Sequence, residues 1–224
     1  MPRDQTCKDL SIIIPLSSTE TEQRHLLADL KALPAGGMEI IQCCKGSRAC
    51  SLNKGAAQAR GQWLWFIHAD SRVSEHNLDA LQRSLEQQPD ALHYFDLAFD
   101  PGEDGSGLSA LNAQGANLRS RLFHAPFGDQ AFCMHRDIFR RLGGFPENSS
   151  YGEDLLLVRR ARRADVPLVS TGSTIVSSSR IYSEAGWLQT TALNQLRWLQ
   201  LLAKDALACR AARAARSKYR NGRV

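Results

Sequence analysis

The run WLWFIHAD at residues 63–70 decides the fold class of this chain. Its first five residues are apolar and three of them are aromatic, which predicts a short strand buried on both faces. The polar end that follows, from His68 to Asp70, is therefore delivered to the carboxyl end of a buried strand. In open α/β sheets this edge is where ligands bind.

The segments around this strand alternate between strand and helix patterns. The predicted strands before it are residues 11–16 and 38–41, and the predicted helices are residues 20–33, 47–60 and 75–87. This β-α-β-α-β-α order is typical of a doubly wound, mostly parallel sheet in an α/β domain. It places Pro15 and Gln42 at the same edge as Asp70.

The second half of the chain continues with strands and ends in a long helical stretch. The predicted strands are residues 92–99, 131–134 and 175–179, and the predicted helices are residues 108–123, 153–164 and 184–216. With neither a repeat nor a long linker, we expect an α/β domain over residues 1–183 and a C-terminal helical extension over residues 184–224.

Composition excludes several classes of protein. The chain has 224 residues, is 43% hydrophobic and 23% charged, and contains no apolar run of membrane-spanning length. The N-terminus lacks the layout of a secretory signal, so we expect a cytoplasmic protein. Neither a glycine-rich dinucleotide fingerprint nor a phosphate-binding loop of the Gly-Lys-Ser/Thr type occurs, which leaves an unrelated nucleotide-binding enzyme without support.

The net charge of +5 belongs to the C-terminal end. Residues 195–224 hold eight basic side chains and one acid, whereas the other 194 residues hold 20 basic and 22 acidic ones. An apolar, tryptophan-bearing stretch from Trp187 to Leu207 precedes the arginines, and such a segment can lie on an anionic membrane at the inner face. The other interpretation is packing on the α/β domain with a solvated end. Nucleic acid is not expected as a partner, because basic and aromatic residues do not interleave.

The six cysteines do not follow the spacing of zinc or disulfide frameworks. Cys43, Cys44 and Cys50 form the one cluster, and no histidine near them in sequence completes a ligand set. We interpret them as reduced thiols, with a metal or redox role as the alternative.

Three local motifs could carry chemistry, and each also has a structural interpretation. Asp70 could bind a divalent cation that bridges phosphate oxygens, or cap the following helix. Residues 153–154 (ED) could supply a general base, or stabilise a helix N-terminus. Residues 128–130 (GDQ) could bind a hydroxylated substrate, or form an ordinary turn.

Taken together, six segments resemble the family 2 glycosyltransferases, nucleotide-sugar enzymes of the GT-A fold. In order, they are residues 11–15 (SIIIP), 51–56 (SLNKGA), 66–70 (FIHAD), 128–130 (GDQ), 141–146 (RLGGFP) and 152–155 (GEDL). Each segment is weakly specific, but their order and spacing match over about residues 10 to 205.

The resemblance implies a role for each motif residue. It puts Asp70 in the position that binds the metal, Mg²⁺ or Mn²⁺, and the donor diphosphate, with His68 in place of the first acid of the usual Asp-x-Asp. It implies nucleotide or donor contacts for Pro15, Arg48 and Asn53, acceptor contacts for Gly128, Asp129 and Gln130, and a catalytic base at Asp154 with Glu153 beside it. The implied reaction moves a sugar from a nucleotide-sugar to an acceptor hydroxyl, with a lipid-linked acceptor as one hypothesis.

One segment departs from the family pattern. The family follows its second strand with an acid and a loop that holds the nucleoside, whereas here Ile41 is followed by QCCKGSR and the next predicted helix begins almost at once. Two hypotheses therefore stand: a metal-assisted glycosyltransferase with a shortened nucleoside loop, or a protein that keeps the fold without donor binding and acts as a binding or scaffold module.

Overall fold

A computed structural model describes residues 9–16, 23–34, 37–100, 108–149, 151–178 and Gln200. The chain divides into two compact units, Met1–Arg180 and Ile181–Val224, and the elements below belong to the first. Apart from Gln200, the predicted C-terminal helical segment lies outside the described residues, so that segment and its membrane contact stay predictions.

The described part of the first unit alternates strands and helices. The strands are β1 (Leu10–Pro15), β2 (Glu39–Cys43), β3 (Trp63–Phe66), β4 (Leu92–Phe99), β5 (Phe132–His135) and β6 (Leu168–Ser177). The helices are α1 (Gln23–Ala32), α2 (Arg48–Gln58), α3 (Glu75–Gln87), α4 (Leu108–Phe123), α5 (Arg136–Leu142) and α6 (Glu153–Arg163), and a 3₁₀ turn spans Gly128–Gln130.

The six strands form one mostly parallel sheet in the order β2-β1-β3-β5-β4-β6. β1 pairs in parallel with β2 and β3, and β4 pairs in parallel with β6. β5 is antiparallel to both of its neighbours, β3 and β4. The predicted α/β class with a doubly wound, mostly parallel sheet is confirmed.

Helices cover both faces of this sheet. Successive residues of β1 point to opposite faces, and Ile12, Ile13 and Ile14 are all fully buried. Ile12 and Ile14 pack with residues of α1 and α3. Ile13 packs with residues of α2, α5 and α6. Burying a side chain of this size contributes about 1.5–3 kcal/mol, so a strand apolar on both faces is stable only between two helical layers.

The reversed direction of β5 explains why a distant turn reaches the edge where the parallel strands end. β5 begins where β3 ends, since Phe132 pairs with Phe66. The 3₁₀ turn Gly128–Gln130 directly precedes β5 and therefore lies at the carboxyl ends of the parallel strands. Ala131 makes this sharp entry with a φ of 45°, which is uncommon for a residue with a side chain.

Two further features bear on the predictions. β6 begins at Leu168, seven residues before the predicted start, and its added half pairs with β4. None of the helices within the described ranges has both the length and the apolar content that crossing a membrane requires.

Candidate active site

Arg48 links the start of α2 to two other elements of the site. Ser47 caps α2, with its hydroxyl accepting a hydrogen bond from the Cys50 amide at 3.2 Å, so that Arg48 lies in the first turn. The Arg48 Nε lies 3.1 Å from Glu153 Oε1 at the start of α6. The guanidinium also donates a hydrogen bond to Nε2 of His68, which follows β3. The Arg48 side chain thus links the first turn of α2, the segment after β3 and the first turn of α6.

His68 is held as a neutral hydrogen-bond acceptor. Burial and the neighbouring Arg48 guanidinium lower the pKa of its imidazole well below the usual value. Its Nε2 lone pair accepts from Arg48 and is therefore committed to that contact. This residue supplies no charge where the family pattern has the first acid of Asp-x-Asp.

Gly128 occupies the point where these groups meet. A Cβ built on this residue would lie 2.6 Å from Arg48 Nη2, 3.0 Å from Asp154 Oδ2 and 3.1 Å from His68 Nε2. The separation from Arg48 Nη2 is too short for a methyl group and the other two are tight, so a larger residue here would displace the Arg48 guanidinium from its place in the site. The turn and the three side chains from other elements therefore form one compact cluster.

Asp154 is fixed by two backbone amides in the first turn of α6. Its Oδ2 accepts a hydrogen bond from the Gly128 amide at 2.6 Å, and its Oδ1 accepts from the Leu155 amide at 2.8 Å. A carboxylate at a helix N-terminus is also stabilised by the helix dipole. Its neighbour Glu153 is buried and directs its carboxylate to Arg48.

Asp70 lies in the turn after β3, and its Oδ2 accepts a hydrogen bond from the Ser177 hydroxyl at 3.2 Å. Within the described ranges, no three His, Cys, Asp or Glu side chains come together as a group that could hold a metal ion. The residues present fit a cation of the Mg²⁺ type, because such an ion needs one or two carboxylates when phosphates and water complete its shell.

Asp129 carries a carboxylate that the protein leaves incompletely satisfied. Its Oδ1 is buried and has no hydrogen-bond partner within the described part of the chain. Burial raises the pKa of Asp129 to about 6; Asp154 and Asp70 add to the rise, whereas Arg119 and Arg48 oppose it. An unmet acceptor of this kind is suited to a hydroxyl from outside.

Gln130, by contrast, is occupied within the protein. Its Oε1 accepts hydrogen bonds from the Ser120 hydroxyl at 2.6 Å and the Phe127 amide at 3.1 Å. Its Nε2 donates to the Phe95 carbonyl at 2.9 Å, and the side chain is fully buried. These contacts hold the turn between α4 and β4; the predicted contact of Gln130 with an acceptor stays a prediction.

Asn53 is likewise engaged with the protein. Its Oδ1 accepts from the Phe145 amide at 2.9 Å, and its Nδ2 donates to the Phe145 carbonyl at 2.8 Å. The segment GGFP at residues 143–146 is thereby fastened to α2. Pro15 ends β1 opposite Cys43 at the same edge as the cluster. Donor contacts for Asn53 and Pro15 stay predictions.

Arg119 is a residue of this region that the sequence patterns did not indicate. Its guanidinium stacks 3.6 Å from the centre of the Phe127 ring, its Nε donates to the Ala125 carbonyl at 3.1 Å, and its charge lowers the pKa of Asp129. Periodicity places it on a helix, but only the tertiary fold brings the end of α4 beside the 3₁₀ turn.

The connection between β2 and α2 is short, as the sequence indicates. β2 ends at Cys43 and α2 begins at Arg48, which leaves residues 44–47 between them. The Lys45 amide donates to the Ser51 hydroxyl at 2.9 Å, so the connection folds back on the first turns of α2. Cys43, Cys44 and Cys50, with Cys133 on β5, are free thiols.

Comparisons with known proteins agree on the type of domain. The sequence model described as glycosyl transferase family 2 matches residues 4–143. Three crystal structures of S. aureus TarS are similar in fold: the first has 14% identity and a TM-score of 0.57 and covers 76% of this chain. The second and third comprise TarS 1–349, with TM-scores of 0.56 and identities of 14% and 13% over 76% of this chain, and the third is a complex with UDP-GlcNAc.

At these identities the likeness to TarS concerns the fold, which is of the GT-A type. This chain covers 36%, 60% and 58% of the three structures and so spans less than two thirds of their length. No curated protein sequence matches it.

Proposed function

The chain belongs to glycosyl transferase family 2, and from that premise we propose that it transfers a sugar from a nucleotide-sugar donor to a hydroxyl group of an acceptor. The observation that carries the proposal is the convergence of Arg48, His68 and Asp154 on the backbone of Gly128. A fixed carboxylate and an arginine thus meet at the ligand-binding edge of an α/β sheet. This pair suits a displacement in which an acceptor hydroxyl loses its proton and a diphosphate departs.

Asp154 is the proposed general base. Its two amide hydrogen bonds fix the carboxylate at the helix terminus and keep it oriented before an acceptor arrives. It would take the proton of the acceptor hydroxyl while that oxygen attacks the anomeric carbon and the bond to the diphosphate breaks. Glu153 would act indirectly, by positioning Arg48 through their 3.1 Å ion pair.

Arg48 is the proposed protein contact of the departing diphosphate. Its guanidinium is anchored by Glu153 and His68 and presents several N–H donors in one plane, which suits phosphate oxygens. Asp70 would hold Mg²⁺ or Mn²⁺ with phosphates and water as the other ligands. When bound, such an ion neutralises charge that develops on the leaving diphosphate.

The acceptor is proposed to meet the turn of Gly128, Asp129 and Gln130. The buried Oδ1 of Asp129 lacks a hydrogen-bond partner among the described residues, and an acceptor hydroxyl would satisfy it. The acceptor itself is unidentified. A lipid-linked acceptor, reached while the apolar and basic C-terminal segment lies on the membrane, is the form that the sequence of that segment favours.

The UDP-GlcNAc complex of TarS supports a nucleotide-sugar donor here and makes uridine nucleotides the first to test. Calorimetric titration of UDP and GDP in the presence of Mn²⁺, repeated with Asp70→Ala, tests the donor assignment. We expect binding of one nucleotide and at least a tenfold loss in the variant, since the cation would lose its protein carboxylate. If the wild-type chain binds no nucleoside diphosphate, the donor assignment is wrong.

A second function is favoured by the four-residue connection between β2 and α2, which leaves little chain to enclose a nucleoside. The chain would then keep the fold without binding a donor and act as a binding or scaffold module. In this case Asp154→Asn leaves the cellular function unchanged. Loss of that function in a stably folded Asp154→Asn variant favours the enzyme instead.

A further inference from the structure

The helix α4 carries an apolar stripe on its solvent side. Among the described residues, the large apolar side chains that are exposed are Leu111 at 57%, Leu118 at 57%, Leu122 at 62% and Phe123 at 62%, and all of them lie in α4. Leu111, Leu118 and Leu122 are spaced by seven and four residues, so they lie within about 40° of one another around the helix. Exposed apolar groups that cluster in this way mark an interaction surface.

Exposed arginines lie beside the stripe, and one of them also pairs with a carboxylate: Arg121 Nη2 is 2.5 Å from Asp96 Oδ2, with 60% of the arginine side chain exposed. α4 contains no aspartate or glutamate over its 16 residues, and its charged side chains are Arg119 and Arg121. Arg121 lies about 80° to one side of the stripe. Arg119, on the other side, is turned into the protein, where it stacks on Phe127 and donates to the Ala125 carbonyl. The end of α6 adds basic residues at the same place, because Arg162 donates from Nη1 to the Phe123 carbonyl at 3.2 Å, and Arg163 follows it.

We propose that α4 lies in the surface of an anionic lipid membrane, with Leu111, Leu118 and Leu122 among the acyl chains and Arg121, Arg162 and Arg163 at the headgroups. A helix with an apolar face and exposed arginines beside it binds such a surface by burying the apolar face and pairing the arginines with lipid phosphates. The long arginine side chains can cross the boundary while their charged ends stay with phosphate. This docking does not depend on the proposed transfer reaction.

The location of the stripe gives the docking a consequence for the site. α4 ends at Phe123, and five residues later Gly128 begins the turn that meets Asp154. Ser120, on the same helix, donates to Gln130 within that turn at 2.6 Å. A membrane under α4 would therefore hold the turn near the headgroups, where a lipid-linked acceptor presents its hydroxyl.

Sedimentation of the full chain with vesicles tests the proposal. We expect binding to vesicles of equimolar phosphatidylcholine and phosphatidylglycerol. Affinity for vesicles of phosphatidylcholine alone should be at least about tenfold lower. The triple variant Leu111→Ser, Leu118→Ser, Leu122→Ser keeps the basic C-terminal segment intact. We expect it to lose at least about tenfold in affinity for the mixed vesicles, because three apolar side chains no longer enter the bilayer.

Matched variants distinguish membrane binding through α4 from other causes of a change in vesicle binding. Arg121→Gln is expected to weaken binding to the mixed vesicles, whereas Arg83→Gln, the same charge change at an exposed position of α3, is expected to leave it unchanged. The single variant Leu122→Ser, with its thermal unfolding measured in parallel, covers the case in which the triple variant does not fold. Undiminished binding by folded stripe variants would assign the membrane contact to the C-terminal segment and overturn the proposal. A wild-type dimer that Leu122→Ser converts to a monomer would also overturn it, because the stripe would then be an interface between copies of this chain.

Discussion

The backbone amide of Gly128 donates a hydrogen bond of 2.6 Å to Oδ2 of Asp154, which joins the turn after α4 to the first turn of α6. The two residues are 26 positions apart in sequence and come together because β5 runs against its neighbours and begins at the ligand-binding edge. The proposed base is thus held by the segment proposed to bind the acceptor. Any displacement of this turn moves both parts of the site.

Replacing Gly128 tests the close approach of the cluster. In Gly128→Ala the new methyl group would lie 2.6 Å from Arg48 Nη2 and 3.0 Å from Asp154 Oδ2, so one of them must move. We expect nucleotide affinity and the rate of sugar release to fall at least about tenfold while the fold persists. Gly115→Ala on α4, where a Cβ meets nothing within 4 Å, is the control and is expected to gain about 0.5–1 kcal/mol in unfolding free energy. Equal activity of both variants would contradict the predicted crowding at Gly128.

The buried carboxylate of Asp129 is expected to lower the free energy of unfolding at neutral pH. Its folded pKa of about 6 lies above the ordinary value of 3.8, so the folded state binds the proton more tightly and stability falls as pH rises from about 4 to 6. Asp129→Asn should therefore be more stable than wild type at pH 7.5, by on the order of 1–3 kcal/mol, and the difference should close below about pH 4. Urea unfolding of both proteins across this range measures it. A variant less stable than wild type at pH 7.5 would contradict the prediction.

The buried imidazole of His93 is expected to make the protein less stable in acid. Burial lowers its pKa to about 4, and its ring nitrogens are occupied by the Ser84 hydroxyl at 2.7 Å and the Gln88 carbonyl at 3.0 Å. The unfolded chain takes up a proton near pH 6.5 and the folded chain only near pH 4, so stability declines as pH falls through this window, by up to about 3 kcal/mol. We expect His93→Gln to flatten the slope of unfolding free energy against pH, and His76→Gln, an exposed change on α3, to leave it as in wild type. An unchanged slope in His93→Gln would be evidence against this assignment.

The ion pair between Arg48 and Glu153 should act on donor binding. Arg48→Lys replaces a planar group that reaches both Glu153 and His68 with a single ammonium, and we expect nucleotide affinity to fall at least about tenfold. Glu153→Gln releases the same arginine and should weaken affinity by a smaller factor. Since both variants disturb one contact, calorimetry on the double variant should give less than the sum of their free energies. Additive effects would mean that Glu153 does not position Arg48.

Local patterns predicted most of the fold. The bounds of α3 at Glu75 and Gln87 agree with the prediction because Ser74 and Asn77 form a capping box and leucines recur on one buried face. The start of β6 does not agree with the prediction, because residues 170–174 are Ser, Thr and Gly, a composition typical of a loop. The pairing of this segment with β4 makes it a strand. Strand and helix signals are local, whereas pairing of a polar segment depends on its neighbour.

The sequence motifs predicted only part of the site. The resemblance predicted the family, which is confirmed, and marked Gly128 and Asp154 as parts of one site. It did not indicate that Arg48 contacts His68, or that the Asn53 amide is bound to the backbone of Phe145. These contacts join residues 20 and 92 positions apart, and no spacing rule within one helix or strand relates them.

The release of UDP from a panel of UDP-sugars, with water as the acceptor, tests the central claim most directly when wild type and Asp154→Asn are measured side by side. We predict slow release by the wild-type chain from at least one UDP-sugar in the presence of Mn²⁺. In the variant this rate should fall by about a hundredfold or more with UDP affinity retained, because the carboxylate that takes the proton is gone while the donor contacts remain. Release at the same rate by both proteins would contradict the account.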